Sequence, residues 1–383
     1  MKLDKQNWKK VEFGQVINHI EINERDPDKR LNAKYVSVEH LTTLDLRIKG
    51  VAAEEQPTFS RTFKKGQVLF AKRRAYQKKV AVATFDGICS PHIWALETNG
   101  DLLQELLPFI MQRDDFYEYV NANSAGTMST YLKWPALSLY KLKIPPKVDQ
   151  EKILSIFHNL EDLINKTEEQ EKVFRRLTKK LVDDFVSDFH FGNLLIDRNS
   201  FEFKWIECVE KIDRNIDPVL EGIKYRIGGE NIESSDYKIR SLGSVENDYT
   251  GPAFVKKVIP NDILYVSRNP HLRKVAFSEI IGVCANTTFV IRSKEDILSQ
   301  YLLKHIMLSE SFSQYAMSKA RGSTNPYINW KDLNDFTFKL PDLETQKEMA
   351  EILDDCISNA EIAREQSIAL KKLKHKLLDE IFE

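Results

Sequence analysis

Hydrophobic residues return every seven positions in two stretches of the chain. Positions 153, 160, 167, 174 and 181 hold Ile, Leu, Thr, Phe and Leu, while 156, 163, 170 and 177 hold Ile, Leu, Gln and Leu. Further on, 349, 356, 363, 370 and 377 hold Met, Cys, Ala, Leu and Leu, and 352, 359, 366 and 373 hold Ile, Asn, Gln and Leu. This spacing predicts two long helices with coiled-coil seams, over 148–190 and 343–383. The packing residues are then Ile153, Ile156, Leu160, Leu163, Phe174, Leu177 and Leu181 on the first helix, and Met349, Ile352, Leu370, Leu373 and Leu377 on the second. Two matched seams most economically pack on each other as an antiparallel pair, with Thr167, Gln170, Asn359 and Gln366 available to fix the register. Pro145-Pro146 and Pro341 stop the preceding strands, Asp149 reads as an N-cap, and Thr345 with Glu348 reads as a capping box. At about 1.5 Å per residue, some 40 residues make a rod of roughly 60 Å.

The segments before each helix, 1–147 and 191–342, alternate differently. Val68-Leu-Phe-Ala and Lys79-Val-Ala-Val-Ala read as a β-hairpin, and Ile263-Leu-Tyr-Val with Lys274-Val-Ala-Phe repeats it, turning at Asn269-Pro270. Ile93-Trp-Ala-Leu and Thr288-Phe-Val-Ile read as further strands, and 101–120 and 296–319 carry helical spacing. The fold class is therefore α+β, with two mixed domains separated by the two long helices.

That order is a repeat. Gly126, Tyr131, Trp134, Leu137, Gln150, Ile156, Gln170, Leu177 and Lys180 recur 196 residues later as Gly322, Tyr327, Trp330, Leu333, Gln346, Ile352, Gln366, Leu373 and Lys376. Nearer the start of each copy the shift drifts by a residue, pairing Trp8 with Trp205, Arg73 with Arg268, Lys79 with Lys274 and Cys89 with Cys284. Two divergent copies of one module, related by a pseudo-two-fold axis, suggest two similar surfaces and hence a two-part target.

Composition narrows this only a little. The chain has 383 residues, 42% hydrophobic and 30% charged, with no apolar run near the ~18 residues a membrane helix needs. The start carries no apolar stretch of the secretory kind, which points to the cytoplasm. Cys89, Cys208, Cys284 and Cys356 form no C-x-x-C pair, so no metal is expected, and Cys89 and Cys284 read as buried strand residues. A net charge of -1 argues against nucleic-acid binding by bulk charge but permits local patches.

The densest patch lies on the first hairpin. Residues 61–85 hold eight lysines and arginines and no acid, and 251–278 hold five against Asp262. A charge run of this sort is either a solvated face or a reading surface. For the second, a β-hairpin fits the major groove, where Arg bonds guanine O6 and N7 and Lys pairs with phosphate. The candidate DNA contacts are Lys72, Arg73, Arg74, Tyr76, Lys78 and Lys79 in the first copy, and Ser267, Arg268, Asn269, His271, Arg273 and Lys274 in the second. The loops Ser124–Tyr131 and Ala320–Tyr327 add Thr127 and Ser129, and Arg321, Ser323 and Thr324. They serve as phosphate contacts or as plain turns leading to a Tyr-x-x-Trp strand.

Catalytic readings fare poorly. Asn325-Pro326-Tyr327 matches part of an adenine-methyltransferase motif, but one proline is missing and the first copy has Ser129-Thr130-Tyr131 there. Pro341-Asp342 with Glu344 and Lys347 suggests a nuclease only faintly, because those residues begin a capped helix. No H-E-x-x-H, G-x-S-x-G or Walker sequence is present.

The hairpin phrases, the Gly87-Ile-Cys and Gly282-Val-Cys strands and the Pro-then-Gln-then-heptad helices resemble type I restriction-modification specificity subunits across essentially the whole chain. The resemblance implies a non-catalytic subunit that binds double-stranded DNA. Each target-recognition domain would read one half of a bipartite asymmetric site, and the helices would set the gap and dock two methyltransferase subunits. S-adenosylmethionine, ATP and magnesium would bind only in partner subunits, including restriction subunits where present. Read without that resemblance, a coiled-coil scaffold recruiting proteins through two mixed domains is the competing expectation.

Overall fold

β-Branched and aromatic runs separated by turn residues form strands wherever both of their faces can be covered, and both copies do this in one topology. The computed structural model describes residues 5–50, 59–126, 130–192 and 201–383. In the first copy an antiparallel sheet runs in the order Ile17–Ile20, Ile93–Thr98, Val68–Ala71, Val80–Val82. The second copy answers with Val209–Lys211, Thr288–Ser293, Ile263–Val266, Val275–Phe277. A second sheet packs beside each. In the first copy Gly87–Cys89 lies between Tyr35–Val36, parallel to it, and Arg61–Phe63. In the second, Gly282–Ala285 lies between Tyr225–Ile227, again parallel, and Phe254–Val258. Cys89 and Cys284 are fully buried on these central strands, and burial pushes both thiols up to about 12.

The long helices span Lys147–Asp188 and Leu343–Phe382. Neither starts as its sequence suggests. Asp149 lies inside the first turn, and the second helix is capped by Asp342, whose carboxylate accepts from the Glu344 and Thr345 amides and the Thr345 hydroxyl. The Gln that follows each proline is buried and fully bonded. Gln150 accepts from Leu103 N and donates to the Asp101 and Pro145 carbonyls, and Gln346 does the same with Ser299 N, Ile297 and Pro341. Each identical Gln thus fixes a helix start to the domain that precedes it.

Backbone contacts divide the chain into two compact units, Met1–Glu168 with Glu365–Glu383, and Glu169–Arg364. Each unit holds one mixed domain, the first half of its own helix and the last half of the other copy's helix. In the first unit Lys371 meets Glu168 at 2.5 Å and Lys374 meets Glu161 at 2.6 Å, so these two helix segments run antiparallel. In the second unit, Val182 and Phe185 from one helix share a core with Met349, Leu353 and Ile357 from the other.

One column of the expected seam is buried and the other is displaced by a residue. Ile153, Leu160 and Met349 are buried, while Phe174, Leu181, Leu370 and Leu377 are half-buried. Leu163, Leu177, Ile352 and Leu373 are instead exposed, and Ile156 is only partly covered. The buried second column is Phe157, Ile164 and Thr178 on one helix and Leu353, Ala360 and Ser367 on the other. The mixed domain causes this shift, because it draws in the flank of the helix that faces it, as where Phe109 stacks on Phe157 at 5.2 Å. The polar residues do not set the register either. Thr167 bonds its own helix carbonyls, and Gln170, Asn359 and Gln366 are exposed.

Candidate nucleic-acid interface

The tip of each hairpin is built from two left-handed residues around a single 3₁₀ turn. Arg74 and Lys78 (φ +52° and +53°) flank Ala75–Gln77, and Asn269 and Arg273 (φ +52° and +48°) flank Pro270–Leu272. A non-glycine residue in this region costs on the order of 1 kcal/mol and persists only where its surroundings hold it. Those surroundings are duplicated. Arg74 N donates to Thr130 O at 2.7 Å and Asn269 N to Pro326 O at 2.6 Å. The carbonyls of Lys78 and Arg273 accept from Leu44 N and Ser235 N, themselves left-handed, at 3.0 and 3.1 Å. Burial of Ala75 and of Pro270 anchors the turn inward and leaves Tyr76 and His271 exposed.

The structure brings the hairpin tip and the glycine loop together in both copies. Arg73 bridges Tyr131 and Arg268 bridges Tyr327, and the loop turns back through Gly126 and Gly322 at φ +101° and +86°. Thr127 and Ser129 lie outside the described residues. Ser323 and Thr324 are exposed on this loop, and Arg321 pairs with Asp332 at 2.9 Å. The segment after each Tyr is a bridge and a short helical turn, Trp134–Leu137 or Trp330–Leu333, not a strand, because Trp134 and Trp330 pack edge-on against Trp94 and Phe289.

The candidate side chains divide into exposed ones and ones turned toward the protein. Arg73 and Arg268 are exposed, with Arg73 Nη1 3.2 Å from His92 Nε2. Burial, and after it the charges of Arg73 and Lys72, hold His92 below its ordinary value, so the ring is neutral and accepts. Arg74 is also exposed, and Asn269 is half-buried. Lys72 lies over the Trp94 ring at 5.3 Å, and burial with Arg61 nearby lowers its ammonium pKa. Its counterpart Ser267 is buried and bonds Thr287 O at 2.6 Å. Lys79 and Lys274 do not reach outward, since their ammonium groups donate to the Val38 and Gly229 carbonyls at 2.9 and 2.5 Å. Lys78 and Arg273 are held by Asp114 and Glu310 at 2.7 and 2.8 Å. The sequence reading passed over Tyr131 and Tyr327, which stand exposed beside Arg73 and Arg268, with Lys133 over the Tyr131 ring at 5.9 Å. Their identity across the repeat was the available signal.

The result is one backbone cradle presenting two different side-chain sets, Arg73-Arg74-Ala75-Tyr76 and Arg268-Asn269-Pro270-His271. An exposed guanidinium on a fixed turn suits bidentate contact to a base edge, and the flanking aromatic suits sugar or base contact. Asp114, His375 and Asp379 lie close enough to share a metal ion, but Lys78 is already bonded to that carboxylate.

A sequence model of the type I restriction modification DNA specificity domain matches residues 5–173 and 224–372. The specificity subunit of the type I restriction enzyme MjaVIII from Methanocaldococcus jannaschii is 22% identical over 326 residues, spanning 76% of this chain and 73% of that protein. The Escherichia coli EcoDI specificity subunit is 28% identical over 104 residues, 27% of this chain and 23% of its own. Among solved structures, the S subunit of a type I restriction-modification system from M. genitalium shares the fold with a TM-score of 0.62 at 12% identity, covering 100% of this chain and 98% of that one. A chain from a study of type I restriction-modification assembly and conformational transition gives 0.54 at 19% identity, covering 99% and 98%.

Proposed function

The chain belongs to the type I restriction-modification DNA specificity family, and from that premise we propose that its two domains read the two halves of a bipartite, asymmetric DNA site. One observation carries this reading: the left-handed tip geometry is the same in both copies while the exposed residues on it differ. Equal cradles with unequal side chains suit two different words presented at equivalent depth in the groove.

The long helices supply the second part of the proposal, docking of one methyltransferase subunit on each unit. The first unit carries Ile156, Gln366, Leu373 and Lys376 on its helix segments, and the second carries Ile352, Gln170, Leu177 and Lys180. The same four residue types recur, and none is buried by the chain itself. Apolar side chains left at least partly uncovered at matching positions of two units fit two copies of one partner. In this reading the helix pair also sets the unread gap. Methyl transfer from S-adenosylmethionine, and any ATP- and magnesium-dependent cleavage by restriction subunits, belong to the partners.

The test is co-purification of the chain with proteins encoded by its genomic neighbours and reconstitution with any methyltransferase recovered, followed by mapping of methylated adenines. A single motif of two parts with a fixed gap supports the proposal. A contiguous motif, or methylation independent of this chain, rules it out.

A further inference from the structure

Each recognition tip is tied to the long helix packed beside it by the same four-position clamp, and we propose that this clamp sets the attitude of the tip and so the base discrimination of its half-site. The inference rests on the two-half-site reading above. In the first unit Lys78, the left-handed residue that closes the 3₁₀ turn, donates to Asp114 Oδ1 at 2.7 Å. The other Asp114 oxygen lies 2.9 Å from His375 Nε2 on the second long helix, and Asp379 one turn further accepts from the Asp114 amide at 3.3 Å. In the second unit Arg273 donates to Glu310 Oε1 at 2.8 Å, and Glu310 Oε2 lies 3.3 Å from Lys179 Nζ on the first long helix. Asp183 then accepts from the Glu310 amide at 2.6 Å.

The positions correspond through the repeat: 78 with 273, 114 with 310, 375 with 179 and 379 with 183. Only the last pair keeps its residue type, yet the order of donor, acid, donor and aspartate is retained. A single exposed ion pair contributes little. Here the linkage persists through three changes of residue, so it is the connection between tip and helix that recurs and not any one side chain.

Geometry gives the clamp something to hold. Asp114 and Glu310 are the first residues of the helices Asp114–Ala122 and Glu310–Lys319, where a carboxylate is favoured by the helix N-terminus. Their partners on the tip occupy backbone conformations that L-residues seldom adopt, so a bonded side chain there limits the turn to one state. With that bond lost, the turn and the exposed Arg73, Arg74 and Tyr76 gain alternative orientations, and correct and incorrect bases become harder to tell apart. Lys78 and Arg273 are therefore positioning residues.

The experiment uses the full chain assembled with its methyltransferase and a panel of duplexes, each with one altered base in one half-site. Asp114→Asn is expected to lower the kcat/KM ratio of correct to altered first half-sites about tenfold while leaving the second unchanged. Glu310→Gln is expected to give the mirror result. His375→Ala, which does not touch the tip, should act in the same direction as Asp114→Asn and serves if that variant fails to assemble. Installing the second unit's clamp in the first, with Lys78→Arg, Asp114→Glu and His375→Lys together, should restore discrimination. Unchanged discrimination in an assembled complex, or an equal loss at both half-sites, overturns the clamp. A wild-type complex that methylates no two-part site removes the underlying reading instead, and the control alone shows it.

Discussion

The backbones of Arg73 and Tyr131 form an antiparallel bridge, reproduced by Arg268 and Tyr327 in the second domain. Through it the second hairpin tip is joined to the loop that holds Gly322. The glycine is needed because Gly322 sits at φ +86°, where a side chain is strained whatever the space around it. Gly322→Ala is expected to destabilise the second unit by about 1 kcal/mol, read as a lower urea midpoint, and to loosen recognition at one half-site only.

The two shared lysines should behave unlike the two shared arginines. Lys79 and Lys274 cap backbone carbonyls of a neighbouring 3₁₀ turn, so alanine there should cost about 1 kcal/mol of stability. The salt dependence of DNA binding by the assembled complex should stay the same, since no phosphate contact is lost. A slope reduced by about one for either variant would return that lysine to the interface.

Two apolar residues of the first long helix should differ sharply in their effects. Phe157 is fully buried against Phe109, and Phe157→Ala is expected to cost about 3–5 kcal/mol. Leu163→Ala, at an exposed position, should change the stability of the isolated chain by less than about 0.5 kcal/mol. Chemical denaturation of the two variants side by side checks both.

Two buried groups of the second unit should make it sensitive to acid. His305 is fully buried, and burial lowers its pKa, so the fold favours the neutral ring. A depressed folded value means that this contribution is complete above the unfolded value of about 6.5 and is lost as pH falls through the folded one. Burial opposes ionisation of Glu361, but bonds from Arg240 and the nearby Arg175 outweigh it and hold the carboxyl below its ordinary range. Its contribution is likewise present above the usual glutamate range and lost as pH falls below it. Glu361→Gln should therefore flatten the acid limb of a stability-against-pH curve below about pH 4.5, and His305→Gln should flatten it below about 6.5.

Strands, hairpins and the repeat were legible because β-branched runs, turn residues and matched phrases are local in the sequence. The seam was half legible. Ile156 beside Phe157 and Leu163 beside Ile164 satisfy a seven-residue repeat equally well, and the choice between them falls to a domain packed on one flank, which helical periodicity does not contain. The basic tip was visible as charge, but charge does not reveal direction. Lys79 looks like Arg73 in a list of cations, and only the position of the Val38 carbonyl shows that it points inward. The clamp through Asp114 and Glu310 was hidden because its members lie far apart along the chain, 261 residues between Asp114 and His375 and 131 between Lys179 and Glu310, and three of its four positions change residue between copies.

The most direct test of the central claim is the methylated-adenine map of the assembled methyltransferase carrying Arg73→Ala or Arg268→Ala. The account predicts that each substitution relaxes one part of a two-part motif, at about 1–3 kcal/mol per lost bidentate contact, and leaves the other part and the gap intact. Weaker methylation on every sequence with an unchanged motif would make those arginines phosphate contacts, and if either variant loosens both parts equally, the assignment of one domain to each half-site is contradicted.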